Sequence, residues 1–314
     1  MKQHIVVTTA AGLLASGLLA AASPTAAAPT HALAAVPSKV VNGTTYRPIG
    51  AAKPPPRVHA RAWIVVDLST GVVLGRHRAH ARLPQASTMK LLTALTATHR
   101  ISATRPLRAT RMAARTICSC AGVIAGRHYT RDMLFGGMLV PSGNDAAEAL
   151  AGADPKGRAS FIGAMNKTAD RIGATETVAR NPSGLDAAGA HSSARDLVLL
   201  LRAAARRPAV VKWLDTPQVR FGAIGGRRHL LRAVADYELL FPDSYAAKSG
   251  FTTRARNTLV AASHFLANDG VTRDIGVSVL GAEAGFTTRG ARGLVKWAGN
   301  NRTLLGSVGQ LPGS

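Results

Sequence analysis

A serine and a lysine stand three positions apart in the stretch Ser87-Thr88-Met89-Lys90. On a helix this spacing places both side chains on one face, within contact distance. A serine hydroxyl is a weak nucleophile until a neighbouring base accepts its proton. Lysine can be that base when burial or a nearby positive charge lowers the pKa of its amine, whereas arginine keeps its proton in proteins. The pair therefore indicates a nucleophilic serine, although a helix-capping serine beside a solvated lysine has the same spacing.

A second polar motif, Ser142-Gly143-Asn144, follows Pro141 at the start of a helical run. A hydroxyl and an amide on one tight turn could relay a proton and hold a substrate. The spacing from Ser142 to Asp145 also fits a capping box, which is the structural alternative.

The third motif, Lys248-Ser249-Gly250, ends a run that is typical of a strand. A lysine and a hydroxyl on one strand can bind a carboxylate, and a following glycine lets a peptide lie close to the strand. An exposed strand end without function is the alternative. Each of the three motifs occurs once in the chain, in the order nucleophile pair, polar turn, cationic strand.

Strand patterns lie near both ends of the chain and helical patterns lie between them. The predicted strands are residues 62–67, 72–74, 218–221, 244–249, 258–262 and 275–280. The predicted helices begin after Pro84, cover 160–172, run from Ser193 to before Pro208, and cover 291–298. This order predicts an α/β (α+β) fold in which one sheet is built from both ends of the chain and helices from about 107 to 210 form a separate lobe.

Together the motifs resemble those of the serine penicillin-recognising enzymes, which include class A β-lactamases and the D-alanyl-D-alanine carboxypeptidases. The carboxypeptidase branch, the low-molecular-mass penicillin-binding proteins, is the most similar, over about residues 60 to 300. Further similar segments are 84–90, Asn166, 181–185, 230–231 and 251–252. The resemblance implies a β-lactamase/DD-peptidase-like fold, with an antiparallel sheet of about five strands flanked by helices and an all-helical lobe inserted.

The resemblance also implies a mechanism. Ser87 would attack the penultimate D-alanine carbonyl of a peptidoglycan stem peptide, and neutral Lys90 would take its proton. Backbone N–H groups of Ser87 and Phe251 would form the oxyanion hole. Ser142 would pass a proton to the leaving D-alanine. The resemblance thus implies a serine-type D-Ala-D-Ala carboxypeptidase. No cofactor or metal is implied, and β-lactams are expected to acylate Ser87.

Substrate binding is assigned, by the same resemblance, to Asn144, Lys248, Ser249, Gly250, Phe251 and Thr252. Lys248 would bind the terminal carboxylate with Ser249 and Thr252. Some relatives place an arginine after the last strand to help bind this carboxylate, but here none occurs before Arg289.

Other functions remain open at this stage. A DD-endopeptidase would use the same chemistry, whereas a class A β-lactamase would need a glutamate and an asparagine to activate water. Glu176 lies one residue too far from Asn181 for that pattern. A non-catalytic penicillin- or wall-binding module is the alternative of another class. His77 and His80 lack an acidic partner at ligand spacing, so we expect no metal site.

The N-terminal region indicates export. Residues 1–34 have a positive start at Lys2, an apolar run and small-residue cleavage sites, as in a signal peptide or an uncleaved anchor. Residues 35–60 are expected to be a Pro-rich linker, and residues 61–314 the catalytic domain. We therefore expect a secreted or cell-envelope protein outside the cytoplasmic membrane.

The net charge of +23 comes from scattered basic residues, and aromatic residues are only 4% of the chain. This pattern favours an anionic cell-envelope polymer or membrane surface as a partner over nucleic acid. Cys118 and Cys120 are the only cysteines. They are expected to be two thiols or a small local staple rather than a redox centre.

Overall fold

The computed structural model describes residues 36–234 and 243–313 of the chain. The strands are β1 (Lys39–Val41), β2 (Thr44–Pro48), β3 (Ala62–Asp67), β4 (Val73–His77), β5 (Leu107–Arg108), β6 (His128–Tyr129), β7 (Gln218–Phe221), β8 (His229–Arg232), β9 (Ser244–Thr252), β10 (Arg256–Leu266), β11 (Thr272–Ala282) and β12 (Leu305–Gly306). The helices are α1 (Lys90–Arg100), α2 (Arg111–Ala114), α3 (Arg131–Leu139), α4 (Asn144–Gly152), α5 (Gly157–Ile172), α6 (Ala194–Ala205), α7 (Pro208–Leu214) and α8 (Thr287–Asn300).

One antiparallel sheet organises the described part of the chain. Its strand order is β1-β2-β4-β3-β11-β10-β9, and β12 also pairs with β2. The predicted mixed α/β class with an antiparallel sheet and helices is confirmed. The sheet has eight strands rather than about five, and the predicted all-helical lobe also contains the short pair of β5 and β6. Five of the predicted strands correspond to β3, β4, β9, β10 and β11 of this sheet, whereas β7 pairs with β8 in a separate small sheet. The sheet therefore draws on both ends of the chain.

The linker prediction for residues 35–60 is wrong at residues 39–48, which form β1 and β2. Asn42 and Gly43 have φ angles of 50° and 75°, as a tight hairpin turn requires. Residues of β2 alternate between buried and half-buried positions, and the ring of Tyr46 meets Trp297 edge-on with centroids 6.0 Å apart. The linker was predicted because residues 35–60 are rich in proline, and the alternating pattern of β2 is too short to indicate a strand by itself. Residues 49–60 contain no regular helix or strand.

Helices cover both faces of the sheet because the central strands are apolar on both sides. In β3, Ile64 and Val66 belong to the core shared with α1 and α3–α6, whereas Trp63 and Val65 belong to the core shared with α8. All six residues of β3 are buried. The interior of the sheet is thus fixed between two helical layers.

Helix boundaries follow the predicted signals. The Ser193 hydroxyl accepts the backbone N–H of Asp196 at 3.1 Å, which caps α6. Helix α5 ends at Gly173, whose φ is 80°. No helix in the described ranges is both long and apolar enough to cross a membrane. The predicted signal peptide, residues 1–34, lies outside the described residues.

Candidate active site

Ser87 and Lys90 meet where the chain enters α1. Ser87 lies in a single 3-10 turn, 86–89, and Lys90 is the first residue of α1. Lys90 Nζ is 2.7 Å from Ser87 Oγ, and the lysine side chain is completely buried. Neither the 3-10 turn nor α1 has a side-chain cap. The alternative of a capping serine beside a solvated lysine is therefore wrong.

The Lys90 amine has three oxygen neighbours. Besides Ser87 Oγ, it contacts Asn144 Oδ1 at 2.8 Å and the Ser183 carbonyl oxygen at 3.0 Å. Asn144 Nδ2 donates to the carbonyl of Ile117 at 2.7 Å, which fixes the amide so that its oxygen faces Lys90. Three distant segments of the chain therefore surround one amine.

The surroundings of Lys90 favour its uncharged form. Burial lowers the pKa of Lys90 well below its ordinary value, and the positive charge of Lys248 lowers it further. The carboxylate of Asp145 opposes this shift but is weaker than burial. An uncharged amine next to a serine hydroxyl can act as a general base.

Ser142 and Lys248 form a second pair. Lys248 Nζ donates to Ser142 Oγ at 3.0 Å and to the Ser249 carbonyl at 2.8 Å. Ser142 itself has the left-handed φ of 62°, a conformation that a non-glycine residue holds at a cost. Burial lowers the pKa of Lys248 to about 7. This amine can therefore change its charge near neutral pH.

The capping-box explanation for Ser142 and Asp145 is wrong. The N-cap of α4 is Gly143, and no side chain caps it. The Asp145 carboxylate instead accepts the backbone N–H groups of the preceding loop at 2.8 Å each, from Ala121, Gly122 and Val123. A buried carboxylate with this many donors holds the loop in place.

That loop, residues 117–123, contains the two cysteines. Cys118 and Cys120 form a disulfide, so the staple rather than the two thiols is present. Between them, the Ser119 carbonyl accepts the Asn144 backbone N–H at 2.7 Å. The Ser119 hydroxyl donates to the Pro141 carbonyl at 3.0 Å. The bridged loop is thus joined directly to the turn that carries Ser142 and Asn144.

A cleft of about 440 Å³ opens onto these groups. Its lining residues are Ser87, Ser119, Ser142, Val234, Ser249, Gly250, Phe251, Asn257, Thr258, Leu259, Gly285, Thr287 and Thr288. Of the nine predicted site residues, five line the cleft, while Lys90, Asn144 and Lys248 lie buried behind its wall. Thr252 does not line the cleft. Its hydroxyl donates to Asp186 at 2.9 Å.

Two glycines allow neighbouring segments to pack closely against the turn that carries Ser87. A Cβ on Gly250 would lie 2.6 Å from the Ser87 backbone nitrogen, so β9 can approach Ser87 only without a side chain there. A Cβ on Gly184 would lie 1.9 Å from the Ala86 carbonyl oxygen. Thr258 on β10 donates to the Gln85 carbonyl at 3.2 Å and joins the sheet to the same turn.

Several groups that support the site were not predicted from the sequence. The Ser183 carbonyl, the Asp145 carboxylate and the Ser119 backbone had no predicted role in the site, although 181–185 was part of the resemblance. Carbonyl acceptors carry no side-chain signal in a sequence. Thr258 could have been found, since it lies opposite Gly250 in the pairing of β10 with β9. Within the described ranges, no group of three or more His, Cys, Asp or Glu side chains could hold a metal ion.

Comparison with known proteins identifies the family of the chain. The sequence profile of the D-alanyl-D-alanine carboxypeptidase family, peptidase S11, matches residues 49–284. The chain belongs to this family. It is accordingly a hydrolase of the D-Ala-D-Ala carboxypeptidase class, and the resemblance drawn from its motifs is confirmed. The family acts on peptidoglycan peptides ending in D-Ala-D-Ala and binds β-lactams.

Individual relatives are also named D-alanyl-D-alanine carboxypeptidases. The chain is 37% identical over 214 residues to D-alanyl-D-alanine carboxypeptidase DacB2 of Mycobacterium tuberculosis, covering 67% of this chain and 72% of the relative. It is 35% identical over 159 residues to DacC of Escherichia coli, covering 47% of this chain and only 40% of that carboxypeptidase. A crystal structure of D-alanyl-D-alanine carboxypeptidase from Mycobacterium tuberculosis H37Rv superposes with a TM-score of 0.75 at 33% identity, covering 84% of this chain and 99% of that one.

Proposed function

We propose that this D-Ala-D-Ala carboxypeptidase is exported, removes the terminal D-alanine of stem peptides through an acyl-enzyme on Ser87, and is inhibited by β-lactams that acylate the same oxygen. One observation carries the proposal. The buried Lys90 amine has two oxygen acceptors, from Asn144 and Ser183, in addition to the Ser87 hydroxyl.

This arrangement suits a neutral amine, which has two N–H donors and one lone pair. The oxygens of Asn144 and Ser183 take both donors, so the lone pair is left for the Ser87 hydroxyl. Lys90 accepts the hydroxyl proton as Ser87 Oγ bonds to the penultimate D-alanine carbonyl carbon. The developing oxyanion would be held by the backbone N–H groups of Ser87 and Phe251.

Substrate orientation depends on β9. The peptide would lie along Gly250, and its carboxylate would face the hydroxyls of Ser249 and Ser142, with the charge of Lys248 directly behind. An arriving carboxylate stabilises protonated Lys248 and raises its pKa above the value near 7. Thr252, whose hydroxyl is bound to Asp186, would position the end of β9 rather than touch the carboxylate.

Collapse of the tetrahedral intermediate breaks the peptide bond, and the leaving D-alanine nitrogen must gain a proton. The Ser142 hydroxyl lies at the cleft wall and would relay to it the proton that Lys90 accepted. Water then attacks the ester on Ser87 with Lys90 again as base. This second step releases the shortened peptide and restores both side chains.

A β-lactamase would need a water-activating glutamate at the cleft, and none lines it among the residues that the structure describes. Glu176 does not line the cleft, and its carboxylate accepts a hydrogen bond from Ser193 and contacts His80, both at 3.0 Å. We therefore expect slow release of a bound β-lactam. Endopeptidase activity would use the same catalytic groups and differs only in the peptide that the cleft admits.

Mass spectrometry of the intact protein after incubation with benzylpenicillin tests the proposal. Ring opening on Ser87 conserves all atoms, so the mass should rise by that of the whole drug and stay raised. Ser87→Ala should show no increase, whereas Ser119→Ala, which removes another hydroxyl from the same cleft, should still be acylated. An increase in Ser87→Ala, or rapid loss of the adduct from the native protein, would contradict the proposal.

Peptide hydrolysis completes this test. D-Alanine should be released from an acetylated peptide ending in D-Ala-D-Ala, and cross-linked dimers serve as the comparison. Preferential cleavage of the cross-link would identify an endopeptidase instead. Export is tested separately by the N-terminal sequence of the protein recovered outside the cytoplasmic membrane, which should begin after residue 34 or another small residue of that region.

A further inference from the structure

A second cleft, of about 580 Å³, lies where α1, α5 and α6 end. Its wall carries one histidine and four arginines, and none of its described lining residues carries a carboxylate side chain. The basic lining residues are His99, Arg171, Arg202, Arg206 and Arg207. The cleft thus concentrates positive charge around an open space.

Within the described residues, few hydrogen-bond acceptors contact the side chains of Arg171, Arg202 and Arg207. Arg171 donates to the Lys167 carbonyl and the Thr168 hydroxyl at 3.3 and 3.0 Å, both in its own helix. Arg202 Nη1 donates to the Pro312 carbonyl at 3.2 Å, while its buried Nε has no hydrogen-bond partner. Among residues 36–234 and 243–313, no carboxylate forms an ion pair with Arg171, Arg202 or Arg207.

The positive groups also act against one another. The pKa of His99 is lowered by partial burial and then by Arg207 and Arg171. The pKa of Arg202 is lowered by burial and by Arg206, and Asp274, which lies outside the cleft lining, opposes that shift. The carboxyl ends of three helices offset part of this repulsion through their dipoles. A bound anion would offset the rest.

We propose that this cleft binds a phosphate-bearing anion. Guanidinium groups match phosphate oxygens in pairs, with two parallel N–H donors each. The floor between the arginines is apolar and is formed by Leu95, Ile172, Leu199 and Ala203. A phosphate alone would leave that floor uncovered, so a phosphate attached to an apolar group fits better than inorganic phosphate.

This cleft is distinct from the catalytic one. His99 lies nine residues after Lys90 on α1, which corresponds to about 14 Å along the helix axis. A ligand held at the far end of α1 leaves Ser87 accessible. The anion would therefore fix the enzyme on a phosphate-bearing partner without closing the active site.

Calorimetric titration at physiological salt provides the test, with three probes. Dihexanoylphosphatidylglycerol, kept below its micelle concentration, supplies an anionic phosphate with short apolar chains. Dihexanoylphosphatidylcholine has the same chains without net charge, and inorganic phosphate has no chains. We expect the glycerol lipid to bind at least about tenfold more tightly than the choline lipid, and inorganic phosphate to compete with it more weakly. Equal affinity for inorganic phosphate would still support the site and would identify a soluble phosphate as its ligand.

Variants locate the binding. Arg171→Ala and Arg207→Ala should each weaken the glycerol lipid by about tenfold, since a charge-assisted hydrogen bond is lost. Arg292→Ala, an exposed arginine on α8, removes the same charge elsewhere and should leave the affinity unchanged. Benzylpenicillin should acylate all three variants normally, which separates this site from the catalytic proposal.

Three results would overturn the inference. The two lipids could bind equally, or Arg292→Ala could weaken binding as much as the cleft variants, which would show non-specific attraction. The cleft variants could also melt earlier with unchanged affinity, which would show that the arginines only stabilise helix ends.

Discussion

Lys90 and Lys248 are both completely buried, yet their neighbours suit them to different tasks. Two oxygens and the Ser87 hydroxyl surround the Lys90 amine, whereas Lys248 donates to the Ser142 hydroxyl and to the Ser249 carbonyl on β9. The charge of Lys248 lowers the pKa of Lys90. A protonated Lys248 therefore helps burial to keep Lys90 neutral, so in the proposed mechanism carboxylate binding at Lys248 and general-base catalysis by Lys90 would support each other.

Lys90→Arg should abolish most acylation, because a guanidinium retains its proton and cannot accept that of Ser87. We expect the rate of acylation by benzylpenicillin to fall by about 10²- to 10⁴-fold, the usual contribution of a general base. Time-resolved mass spectrometry measures this rate. Lys212→Arg, at an exposed lysine paired with Asp132, is the matched control and should react normally. A Lys90→Arg rate within about threefold of the native one would remove Lys90 from the mechanism.

The pH profile should report the charge of Lys248. Below a pH of about 7 the amine is protonated and attracts the substrate carboxylate, and above its pKa that attraction weakens. The KM for a peptide with a free terminal carboxylate should therefore rise as the pH passes upward through neutrality. The same peptide with a C-terminal amide should show no such rise. Parallel profiles for the two peptides would contradict the assignment of Lys248 to the carboxylate.

At this scale the sequence identified the side chains but not their shared contacts. Ser87 and Lys90 are neighbours on one turn, so their spacing alone predicts contact. Lys90 and the Ser183 carbonyl lie 93 positions apart, and only the folded chain brings them together. The capping alternative for Ser142 failed because its hydroxyl meets a lysine from a distant strand.

Among the local elements, the loop 117–123 controls the position of Asn144. The Asn144 backbone and side-chain amides donate to the carbonyls of Ser119 and Ile117, and the disulfide joins Cys118 to Cys120 on either side of Ser119. Asp145 anchors the other end of the loop through three backbone donors. The disulfide therefore restrains the side of the loop that faces Asn144.

Removing the bridge should slow acylation without unfolding the protein. In a Cys118→Ser, Cys120→Ser double variant we expect the benzylpenicillin rate to fall by roughly three- to tenfold, since Asn144 loses part of its support. Reductant should slow the native protein to a similar degree and leave the double variant unchanged. Equal rates for both proteins, with and without reductant, would show that Asp145 alone holds the loop.

Alanine variants at Gly184 and Gly189 form a matched pair. They test how closely the chain at Gly184 packs against the turn that carries Ser87. Both have a positive φ, 84° and 72°, so alanine at either position costs roughly 1–2 kcal/mol of backbone strain. At Gly184 the new Cβ also meets the Ala86 carbonyl, whereas at Gly189 its nearest neighbour is the flexible side chain of Arg180, 3.3 Å away. Gly184→Ala should lower both the free energy of unfolding and the acylation rate, and Gly189→Ala only the former. Urea unfolding and mass spectrometry measure the two effects, and identical behaviour would contradict the close packing against Ala86.

Across the whole molecule, periodicity predicted the strands from β4 to β9 in the order of the sheet and missed the edge formed by β1 and β2. Long apolar strands such as β3 and β11 give a clear signal because they are buried on both faces. Strands β1 and β2 are short and lie near prolines. Strand β1 is largely exposed, and β2 is buried through its contacts with β4 and α8, which the local sequence does not reveal. Composition therefore suggested a linker where the fold has an edge hairpin.

Two chains that begin at different residues test whether the hairpin of β1 and β2 stabilises the sheet. A chain beginning at Val36 retains β1 and β2, whereas one beginning at Ala51 loses them and uncovers Trp297, against which the buried Tyr46 packs. Loss of one buried aromatic side chain alone costs about 3 kcal/mol, so the shorter chain should melt roughly 6–12 °C lower. Tyr46→Phe in the longer chain keeps the ring contact and should melt close to the unmodified protein. Equal melting temperatures for the two chains would mean that the hairpin adds nothing to the sheet and that residues 39–48 behave as the linker their composition suggests.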